Sequence, residues 1–466
     1  MARGKKKETL TPEDRLQAAL VPESEQPYKV PGNWCWVSLQ TIDQYRASST
    51  DPSKYPDTLF ELYSVPSSAD NYPEIVSGCE IGSTKQRVQK GDVLLCKINP
   101  RINRVWKVSQ YTGNALLASS EWIIIRNSKI VSDYLMYCFR APYFREYMLS
   151  NVSGVGGSLM RAQPKYVKTY PVPLPPLPEQ QRIVDRIESL FARLDEAKQK
   201  AQDALDSFET RKAAILHKAF TGELTAQWRK KHSIGMESWE TKKLSEVSTL
   251  QTGLMKGKNY SGKTVMLPYL RVANVQDGFL NLSEIKEIEV SEELIDRYSL
   301  KNGDVLFTEG GDYDKLGRGT VWQGQIKNCL HQNHVFVVRP QADVLSPYFL
   351  SYQAGSRYGK QYFLKCSKQT TNLASINSTQ LKGFPVLMPT IEEQAQIVLL
   401  IDDLLAKEQQ AKEAAEGVLE QIDLIKKAIL ARAFRGELGT NDPTEESAQE
   451  LMKKFCFKNA VERELK

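Results

Sequence analysis

The feature that most constrains this chain is an internal repeat with a constant spacing. Residues 215–224, Ile-Leu-His-Lys-Ala-Phe-Thr-Gly-Glu-Leu, return at 429–438 as Ile-Leu-Ala-Arg-Ala-Phe-Arg-Gly-Glu-Leu. Residues 171–180, Pro-Val-Pro-Leu-Pro-Pro-Leu-Pro-Glu-Gln, return at 385–394 as Pro-Val-Leu-Met-Pro-Thr-Ile-Glu-Glu-Gln. Both pairs are 214 residues apart (429 − 215 and 385 − 171), so no insertion or deletion separates the two landmarks. The chain is therefore predicted to contain two copies of one structural unit.

The repeat continues upstream with small changes of spacing. Lys-Gly-Asp-Val-Leu at 90–94 matches Asn-Gly-Asp-Val-Leu at 302–306, and Trp-Ile-Ile-Ile-Arg at 122–126 matches Val-Phe-Val-Val-Arg at 335–339. Each half thus consists of a variable region of about 140–150 residues followed by a well-matched segment of about 50 residues. The variable regions contain short apolar runs typical of strands, at 88–95, 121–125, 301–307 and 334–338, and a helical pattern at 142–148.

The well-matched segments have the periodicity of long helices. Apolar or small residues recur at spacings of mostly three and four, a heptad-like seam. In the first copy they are Ile183, Ile187, Leu190, Leu194, Ala197, Ala201, Ala204, Phe208 and Ile215; in the second, Ile397, Ile401, Leu404, Ala411, Ala415, Val418, Ile422 and Ile429. Arg211 and Glu408 each interrupt one seam, and Gly222 and Gly436 stand where the helices are expected to stop. Two equal helices separated by independent domains most simply pack on each other in antiparallel fashion.

These patterns predict an α+β fold with a pseudo-twofold internal repeat. Two mixed α/β domains are separated by two long antiparallel helices that form a coiled coil. The expected boundaries are an N-terminal arm with a short helix at 1–30, a first variable domain at 31–176, a central spacer helix at 177–235, a second variable domain at 236–389, a C-terminal spacer helix at 390–440 and a C-terminal tail at 441–466. The arm is expected to be mobile.

Composition restricts the function classes that fit. The chain has 466 residues, a net charge of +6 and no apolar run long enough for a bilayer-spanning helix. The basic N-terminus lacks an apolar signal core, which favours a cytoplasmic protein without membrane contact. Seven scattered cysteines without a Cys-x-x-Cys pair argue against a disulfide framework or a cysteine zinc site.

Two motifs suggest enzymatic chemistry but stand in the wrong context. Residues 257–264, Gly-Lys-Asn-Tyr-Ser-Gly-Lys-Thr, match the phosphate-loop pattern, but a β-rich segment with Pro268 follows where that loop needs a helix. His331 and His334 lead into a strand pattern, which would place the two rings on opposite faces and separate a metal pair. The chain also lacks an Asn-Pro-Pro-aromatic methyltransferase motif. We therefore expect no catalytic residues, no metal and no cofactor.

Local charge favours a polyanionic partner instead. Residues 85–107 contain seven basic residues against the single acid Asp92, and residues 356–372 contain four basic residues and no acid. Arginine can form two hydrogen bonds with guanine, and asparagine or glutamine with adenine, although most such side chains contact phosphates. The candidate DNA-binding residues are Lys97, Arg101, Asn103, Arg104, Lys107, Arg161, Gln163, Lys165, Lys256, Lys258, Arg271, Asn274, Arg318, Lys368, Gln369 and Asn372.

The sequence resembles the specificity (S) subunits of type I restriction-modification systems. The resemblance rests on the Pro-rich start of the first spacer helix at 173–184, on its partner Thr-Ile-Glu-Glu-Gln-Ala-Gln-Ile-Val at 390–398, and on the helix ends, Phe-Thr-Gly-Glu-Leu and Phe-Arg-Gly-Glu-Leu. Further support comes from Trp-Cys-Trp-Val-Ser-Leu at 34–39, Trp-Glu-Thr-Lys-Lys-Leu at 239–244 and Tyr-Leu-Arg-Val-Ala-Asn-Val at 269–275. Two correctly ordered copies extend it over almost the whole chain, with Thr390 in place of Pro176 and Glu408 in the seam as departures.

The resemblance implies a non-catalytic DNA-recognition subunit. The variable regions would be target-recognition domains, each reading half of an asymmetric bipartite site in double-stranded DNA. The helices would set the gap and dock modification (methyltransferase) subunits, expected to number two, and restriction/translocase subunits would join through the assembled complex. The candidate partner or helix interface comprises Gln180, Ile183, Ile187, Leu190, Phe220, Gly222, Gln394, Ile397, Ile401, Leu404, Phe434 and Gly436.

Three alternatives remain open at this point. A stand-alone DNA methyltransferase or nuclease would turn over S-adenosylmethionine or ATP without partners. A coiled-coil assembly scaffold would show no salt-sensitive DNA affinity. A degenerate copy of a specificity subunit would no longer bind its partners.

Overall fold

The structure, a computed structural model, describes residues 11–150, 152–153, 160–257, 262–311, 316–369 and 374–454. The chain divides into two compact units, Met1–Lys200 with Val418–Lys466 (unit 1) and Ala201–Gly417 (unit 2). Each unit therefore combines one variable region with a segment of both spacer helices.

Unit 1 is a mixed helix and sheet structure. Its strands are β1 (Cys35–Ser38), β2 (Ser49–Thr50), β3 (Leu59–Tyr63), β4 (Glu74–Ser77), β5 (Lys85–Arg87), β6 (Val93–Cys96), β7 (Val105–Lys107), β8 (Ala115–Ala118), β9 (Trp122–Ile125), β10 (Val152–Ser153), β11 (Arg161–Ala162) and β12 (Pro171–Leu174). Its helices are α1 (Pro12–Ala19), α2 (Leu39–Ile42), α3 (Ser132–Arg140), α4 (Pro142–Ser150), α5 (Pro164–Val167) and α6 (Leu177–Asp206), whose last turns belong to unit 2. The sheets have the strand orders β2-β5-β8-β3-β4, β7-β6-β9, β1-β12 and β10-β11.

Unit 2 also combines helices and sheets, but it has an additional helix between its variable-region strands and different sheet sizes. Its strands are β13 (Glu240–Lys243), β14 (Ser248–Gln251), β15 (Thr264–Leu270), β16 (Lys286–Ser291), β17 (Val305–Thr308), β18 (Gly310–Gly311), β19 (Gly319–Val321), β20 (Leu330–His331), β21 (Val335–Pro340), β22 (Lys368–Gln369), β23 (Ala374–Ser375) and β24 (Pro385–Met388). Its helices are α7 (Phe208–Phe220), α8 (Ala226–His232), α9 (Leu244–Val247), α10 (Ile295–Tyr298), α11 (Pro347–Gly355), α12 (Arg357–Cys366), α13 (Ser378–Lys382) and α14 (Ile391–Ala433), which continues into unit 1. The sheets have the orders β14-β21-β17-β19, β16-β15-β20, β13-β24 and β18-β23-β22.

The strands predicted from apolar runs are confirmed as β6, β9, β17 and β21, and the predicted helix at 142–148 as α4. In each unit the two predicted strands pair directly and antiparallel, with Leu94 opposite Ile124 and Leu306 opposite Val337. All four side chains are buried, so these strand pairs form the apolar centre of the variable domains.

A buried ion pair marks the same point of both sheets. Asp92 is 1% exposed and accepts two hydrogen bonds from the Arg126 guanidinium, at 2.7 and 2.6 Å. Asp304 is 0% exposed and accepts two from Arg339, at 2.6 and 2.8 Å. Both aspartates also accept the backbone N–H three residues earlier, which closes the turn before the strand. The matched Gly-Asp and arginine positions of the sequence repeat therefore hold one turn against one strand.

A buried carboxylate joins the start of each spacer helix to the strand that opens the variable domain. In unit 1, Glu179 of α6 is 0% exposed and accepts hydrogen bonds from the Trp34 indole (2.8 Å) and the Asn441 amide (2.9 Å). In unit 2, Glu393 of α14 is 0% exposed and accepts from the Trp239 indole at 3.0 Å and from the Arg229 guanidinium at 2.6 Å. The two copies use the same acceptor and the same indole, but only unit 2 supplies a cation.

The neighbouring glutamines repeat their contacts more closely. The Gln180 amide donates to the Pro175 carbonyl and accepts from the Val131 N–H, both at 3.0 Å. The Gln394 amide donates to the Pro389 carbonyl at 3.0 Å and accepts from the Ser346 N–H at 2.8 Å. Each glutamine thereby ties a helix start to the loop before the next helix of the variable domain, α3 or α11.

The spacer helices run antiparallel within each unit, as the seam predicts. In unit 2 the Arg211 guanidinium bonds Glu408 at 2.6 Å, and the Lys412 ammonium lies 5.0 Å from the Phe208 ring centre. In unit 1 the Lys426 ammonium contacts Asp195 at 2.5 Å. The two residues that interrupt the predicted seams are therefore each other's partners.

The spacer helices end where the sequence predicts, but the first of them is divided into shorter helices. Gly222 and Gly436 both have positive φ, 78° and 74°, and a Cβ at Gly436 would lie 2.4 Å from Pro31. The second copy is one helix of 43 residues, α14. The first copy is divided into α6 and α7 at Ser207, and the separate helix α8 follows. Helical hydrogen bonds nevertheless continue across this point, because the Ser207 N–H donates to the Asp203 carbonyl and the Arg211 N–H donates to the Ser207 carbonyl.

Both chain ends are packed where the structure describes them. Thr11 caps α1, and Leu16 is 5% exposed in the core of unit 1, so the prediction of a mobile arm is wrong for this helix. Of the predicted tail, residues 441–454 also pack on unit 1, with Ala448 and Met452 both 0% exposed. Burial of these apolar side chains stabilises the packing of both ends on the core.

Substituting glutamine for the two buried glutamates should destabilise the units to different extents. Glu393→Gln leaves the Arg229 cation buried without a counter-charge, which costs about 3–5 kcal/mol. Glu179→Gln loses a carboxylate that bonds only neutral groups, which costs about 1–3 kcal/mol. Chemical denaturation of the two variants and the parent chain measures the difference. Equal losses would contradict the role assigned to Arg229.

The buried histidine of unit 2 should make stability depend on pH. His331 is 1% exposed, its Nδ1 bonds the Val335 carbonyl at 2.7 Å, and burial lowers its pKa from 6.5 to about 4. The unfolded chain therefore takes up this proton first as the pH falls, and about 3 kcal/mol of stability is lost between pH 6.5 and 4. His331→Asn keeps a donor toward Val335 but does not titrate, so unfolding measured across this range should be less pH-dependent in the variant. Parallel pH profiles would contradict the assignment.

Candidate nucleic-acid interface

The best-formed candidate surface lies around a short turn between β6 and β7. A 3₁₀ turn at Pro100–Ile102 is flanked by Asn99 and Asn103, both in the left-handed region with φ of 47° and 50°. The Asn103 amide donates to the Phe139 carbonyl at 2.9 Å, so this side chain fixes the turn. Arg101 is exposed and Arg104 is half-buried. Of the predicted residues here, the arginines are therefore free to contact a ligand, while Asn103 positions them.

The other candidates of unit 1 differ in their availability. Lys107 is ion-paired with Asp133 at 2.5 Å, and Arg161 with Glu121 at 2.6 Å, but both side chains remain accessible. Lys165 is exposed, with its ammonium 4.6 Å from the Tyr166 ring centre. Lys97 and Gln163 are half-buried.

In unit 2 one candidate is removed from the surface. Asn274 is 3% exposed, and its amide donates to the Asn281 and Glu284 carbonyls at 2.9 and 3.0 Å. Its hydrogen-bonding capacity is thus used to hold the segment before β16, and it is not available to a base. Arg271 is held by the carboxylate of Glu284 at 3.5 Å.

The remaining candidates of unit 2 are more open. The Arg318 guanidinium donates to the Gln276 amide oxygen at 2.7 Å, and the Gln369 amide donates to the Leu364 carbonyl at 2.8 Å. Lys256 and Lys368 are exposed. Lys258 and Asn372 lie outside the described residues.

Three cations of the surface around Arg101 were not identified from the sequence. A cleft of about 530 Å³ in unit 1 brings Arg101 and Arg104 together with Arg140, Arg145 and Lys427. Arg140 ends α3, Arg145 lies in α4, and Lys427 comes from α14, more than 280 residues further along the chain (427 − 145 = 282). Helical periodicity could have placed the two arginines on helices, but no local pattern relates Lys427 to them.

Most of the predicted partner interface is used within the chain. Gln180, Ile183, Ile187, Gln394, Ile397 and Ile401 are all 0% exposed, and Phe220 and Phe434 are buried. Leu190 and Leu404 are half-buried in the helix pairing, and Gly222 and Gly436 terminate their helices. The buried members of this set pack in the cores of their units or bond the loops before α3 and α11, so little of their surface is accessible to another protein.

The geometry gives no support to the two enzymatic motifs. Residues 258–261 of the phosphate-loop pattern lie outside the described residues, but the pattern leads into strand β15 and not into a helix. His331 is buried on a backbone carbonyl, whereas His334 is half exposed beside Glu309. No cluster of three metal-ligating side chains occurs in the part of the chain that the structure describes. Within the same ranges, no helix combines the length and apolar character that a bilayer crossing requires.

Comparison with known proteins agrees with this architecture. A family model described as the type I restriction modification DNA specificity domain matches residues 54–205 and 236–417. The chain is 28% identical over 324 residues to the EcoKI specificity subunit of Escherichia coli K12, covering 68% of each chain. It is 26% identical over 319 residues to the StySPI specificity subunit of Salmonella potsdam, covering 67% of each.

A solved structure shares the fold. The HsdS subunit from Thermoanaerobacter tengcongensis superposes with a TM-score of 0.63 at 22% identity, covering 89% of this chain and all of that one. The family model matches the greater part of the sequence, once in each half. The chain therefore belongs to the type I restriction-modification DNA specificity family.

Proposed function

We propose that this chain is the subunit that gives a type I restriction-modification complex its DNA sequence specificity, with each unit reading one half of an asymmetric bipartite site. The observation that carries this proposal is that the two units share the same buried contacts but expose different side chains. The Asp–Arg pairs, the indole–glutamate bonds and the glutamine contacts recur in both units. The exposed cations of the variable regions differ, with Arg101 and Lys165 in unit 1 and Lys256 and Lys368 in unit 2, so the two units would present different groups to DNA.

The accessible side chains suit contacts with duplex DNA. Arginine and lysine can contact phosphates, and arginine can also bond guanine in the major groove. Arg101 and Lys165 in unit 1, and Lys256 and Lys368 in unit 2, are exposed and therefore accessible to DNA. Asn103 and Asn274 act by holding the backbone beneath such groups.

The spacer helices are proposed to set the gap and to dock methyltransferase subunits. Because the seam residues are buried, docking would use apolar side chains that point away from the helix pair. Leu399 and Leu424 of α14 are both 63% exposed, and Ile425 is 41% exposed. Leu424 and Ile425 are neighbours on α14, and adjoining exposed apolar side chains are the kind of surface that a second protein covers. The chain itself would take no part in the chemistry, and restriction subunits would join through the assembled complex.

Coexpression with the modification subunits of a type I system tests this function. Sequencing of methylated DNA should return two half-sites of different sequence separated by an unread gap. Replacing the variable region of one unit with that of a relative should change one half-site and leave the other intact. Methylation at a single continuous site, or robust turnover of S-adenosylmethionine or ATP by this chain alone, would overturn the proposal.

Lengthening the helices should lengthen the gap. One helical turn, about 5.4 Å, inserted at matched points of α6 and α14 corresponds to about 1–2 base pairs at roughly 3.4 Å per pair. The methylated sites of this variant should keep both half-sites and gain 1–2 pairs between them. An unchanged gap would show that the helices do not measure the spacing.

A further inference from the structure

The cationic cleft of unit 1 is formed by Arg101, Arg104, Arg140, Arg145 and Lys427, and the carboxylate that acts on Arg140, Asp133, is already paired with Lys107. No carboxylate lines it, and none of these five side chains has an ion pair among the described residues. Other cations of unit 1 are neutralised internally, for example Arg126 by Asp92. Gathering like charges in a concave surface is unfavourable unless an anion occupies it, and such a surface concentrates the positive field.

The corresponding region of unit 2 contains a carboxylate, Asp277, that faces its lysines. Arg145 is the fourth residue of α4, and its counterpart, the fourth residue of α12, is Lys360. In unit 2, Lys212 of α7 lies near Lys360. At the spacing of 214 residues Lys212 matches Lys426, the residue before Lys427, and Lys426 is paired with Asp195 in unit 1. Lys212 and Lys360 face one carboxylate, because Asp277 lies 3.5 Å from the Lys212 ammonium and 3.9 Å from that of Lys360.

A second difference follows the same logic. Arg140 is the last residue of α3, and the last residue of the matching helix α11 is Gly355. A Cβ at Gly355 would lie 3.3 Å from the Asp277 carboxylate. Unit 2 thus replaces an arginine with the smallest residue and fills the position with an acid. Unit 2 thus has a carboxylate beside its cations, whereas no carboxylate lines the cleft of unit 1.

The cleft is also organised without a ligand. The Arg145 Nε donates to the Arg101 carbonyl at 3.0 Å, and one Arg140 amino group donates to the Val105 carbonyl at 3.0 Å. These bonds, with the Asn103 contact to Phe139, hold the turn and two guanidinium groups in place. Planar guanidinium groups held in this way suit the oxygens of phosphate groups.

We infer that this cleft binds backbone phosphates of DNA, and that unit 1 supplies a larger share of the sequence-independent affinity than unit 2, where Asp277 takes the place of a phosphate. The inference rests on the proposed function and adds an anchoring role that is separate from base reading. It concerns the phosphodiester backbone, since contacts of this kind position a protein without selecting a sequence.

The test uses the full complex with modification subunits and follows DNA affinity across salt concentrations. Arg101→Gln combined with Lys427→Gln removes two charges whose side chains have no ion pair in the described structure. A matched control, Lys200→Gln with Lys407→Gln, removes two exposed charges that are paired with Glu196 and Asp403. Because each phosphate contact contributes about 0.9 to the slope of log affinity against log salt, the cleft variant should lose about 1.8 and the control almost none.

The loss should be on the order of tens-fold in affinity at 0.1 M salt, equal for specific and unrelated duplexes, with the methylated sequence unchanged. Asp277→Asn supplies the opposite test, because it frees Lys212 and Lys360 and should steepen the salt slope. This variant should also bind DNA more tightly at low salt, and tighter binding cannot result from misfolding.

The outcomes separate this inference from the proposed function. Equal salt slopes for cleft variant and control would overturn it even if the complex still methylates a bipartite site. Inorganic phosphate and ATP are added as competitors at constant ionic strength. If either is bound through the cleft residues while the DNA slope stays unchanged, the cleft is a free-phosphate site and the inference is wrong. Absence of bipartite methylation by the parent complex would instead overturn the proposed function.

Discussion

The buried carboxylate at the start of each spacer helix is the interaction on which the arrangement of both units depends. Glu179 and Glu393 are fully buried, and each accepts a hydrogen bond from the indole of the tryptophan that opens its variable domain. A charge in such a position is tolerated only when its oxygens are bonded, so the helix start, the first strand and a third segment must all be in place around it. The next residue, Gln180 or Gln394, extends this junction to the loop before α3 or α11.

The third member of this junction differs between the two copies. In unit 1 it is Asn441, which follows the end of α14, and in unit 2 it is Arg229, which follows the end of α7. In both units, therefore, a segment that follows the C-terminal end of one spacer helix completes the start of the other. Antiparallel pairing places those ends together, which explains why residues beyond Gly436 are needed by unit 1.

Charge compensation separates what is structural from what is available to a ligand. The Asp92–Arg126 and Asp304–Arg339 pairs are buried at one side and hold turns. The Arg211–Glu408 pair gives one position of the helix seam a polar match, which favours a single register. The cations around Arg101 have no such partners, and this difference is what makes them a surface for an anion.

The duplication, the helices and the central strands follow from patterns in the amino-acid sequence. Periodicities of 3.6 and 2 are local properties, so the seam from Ile183 to Ile215, the strands at 93–96 and 335–340 and the stops at Gly222 and Gly436 could be predicted. Which charges meet depends on contacts between distant parts of the chain. The fold pairs Arg211 with Glu408, buries Asn274, packs α1 and residues 441–454 in unit 1, and brings Lys427 to Arg101, while Asp277 faces Lys212 and Lys360 in unit 2. The reason is physical: a charge interacts with whatever lies within a few ångströms, and distance in space between residues so far apart in sequence is set by the fold and not by any local pattern.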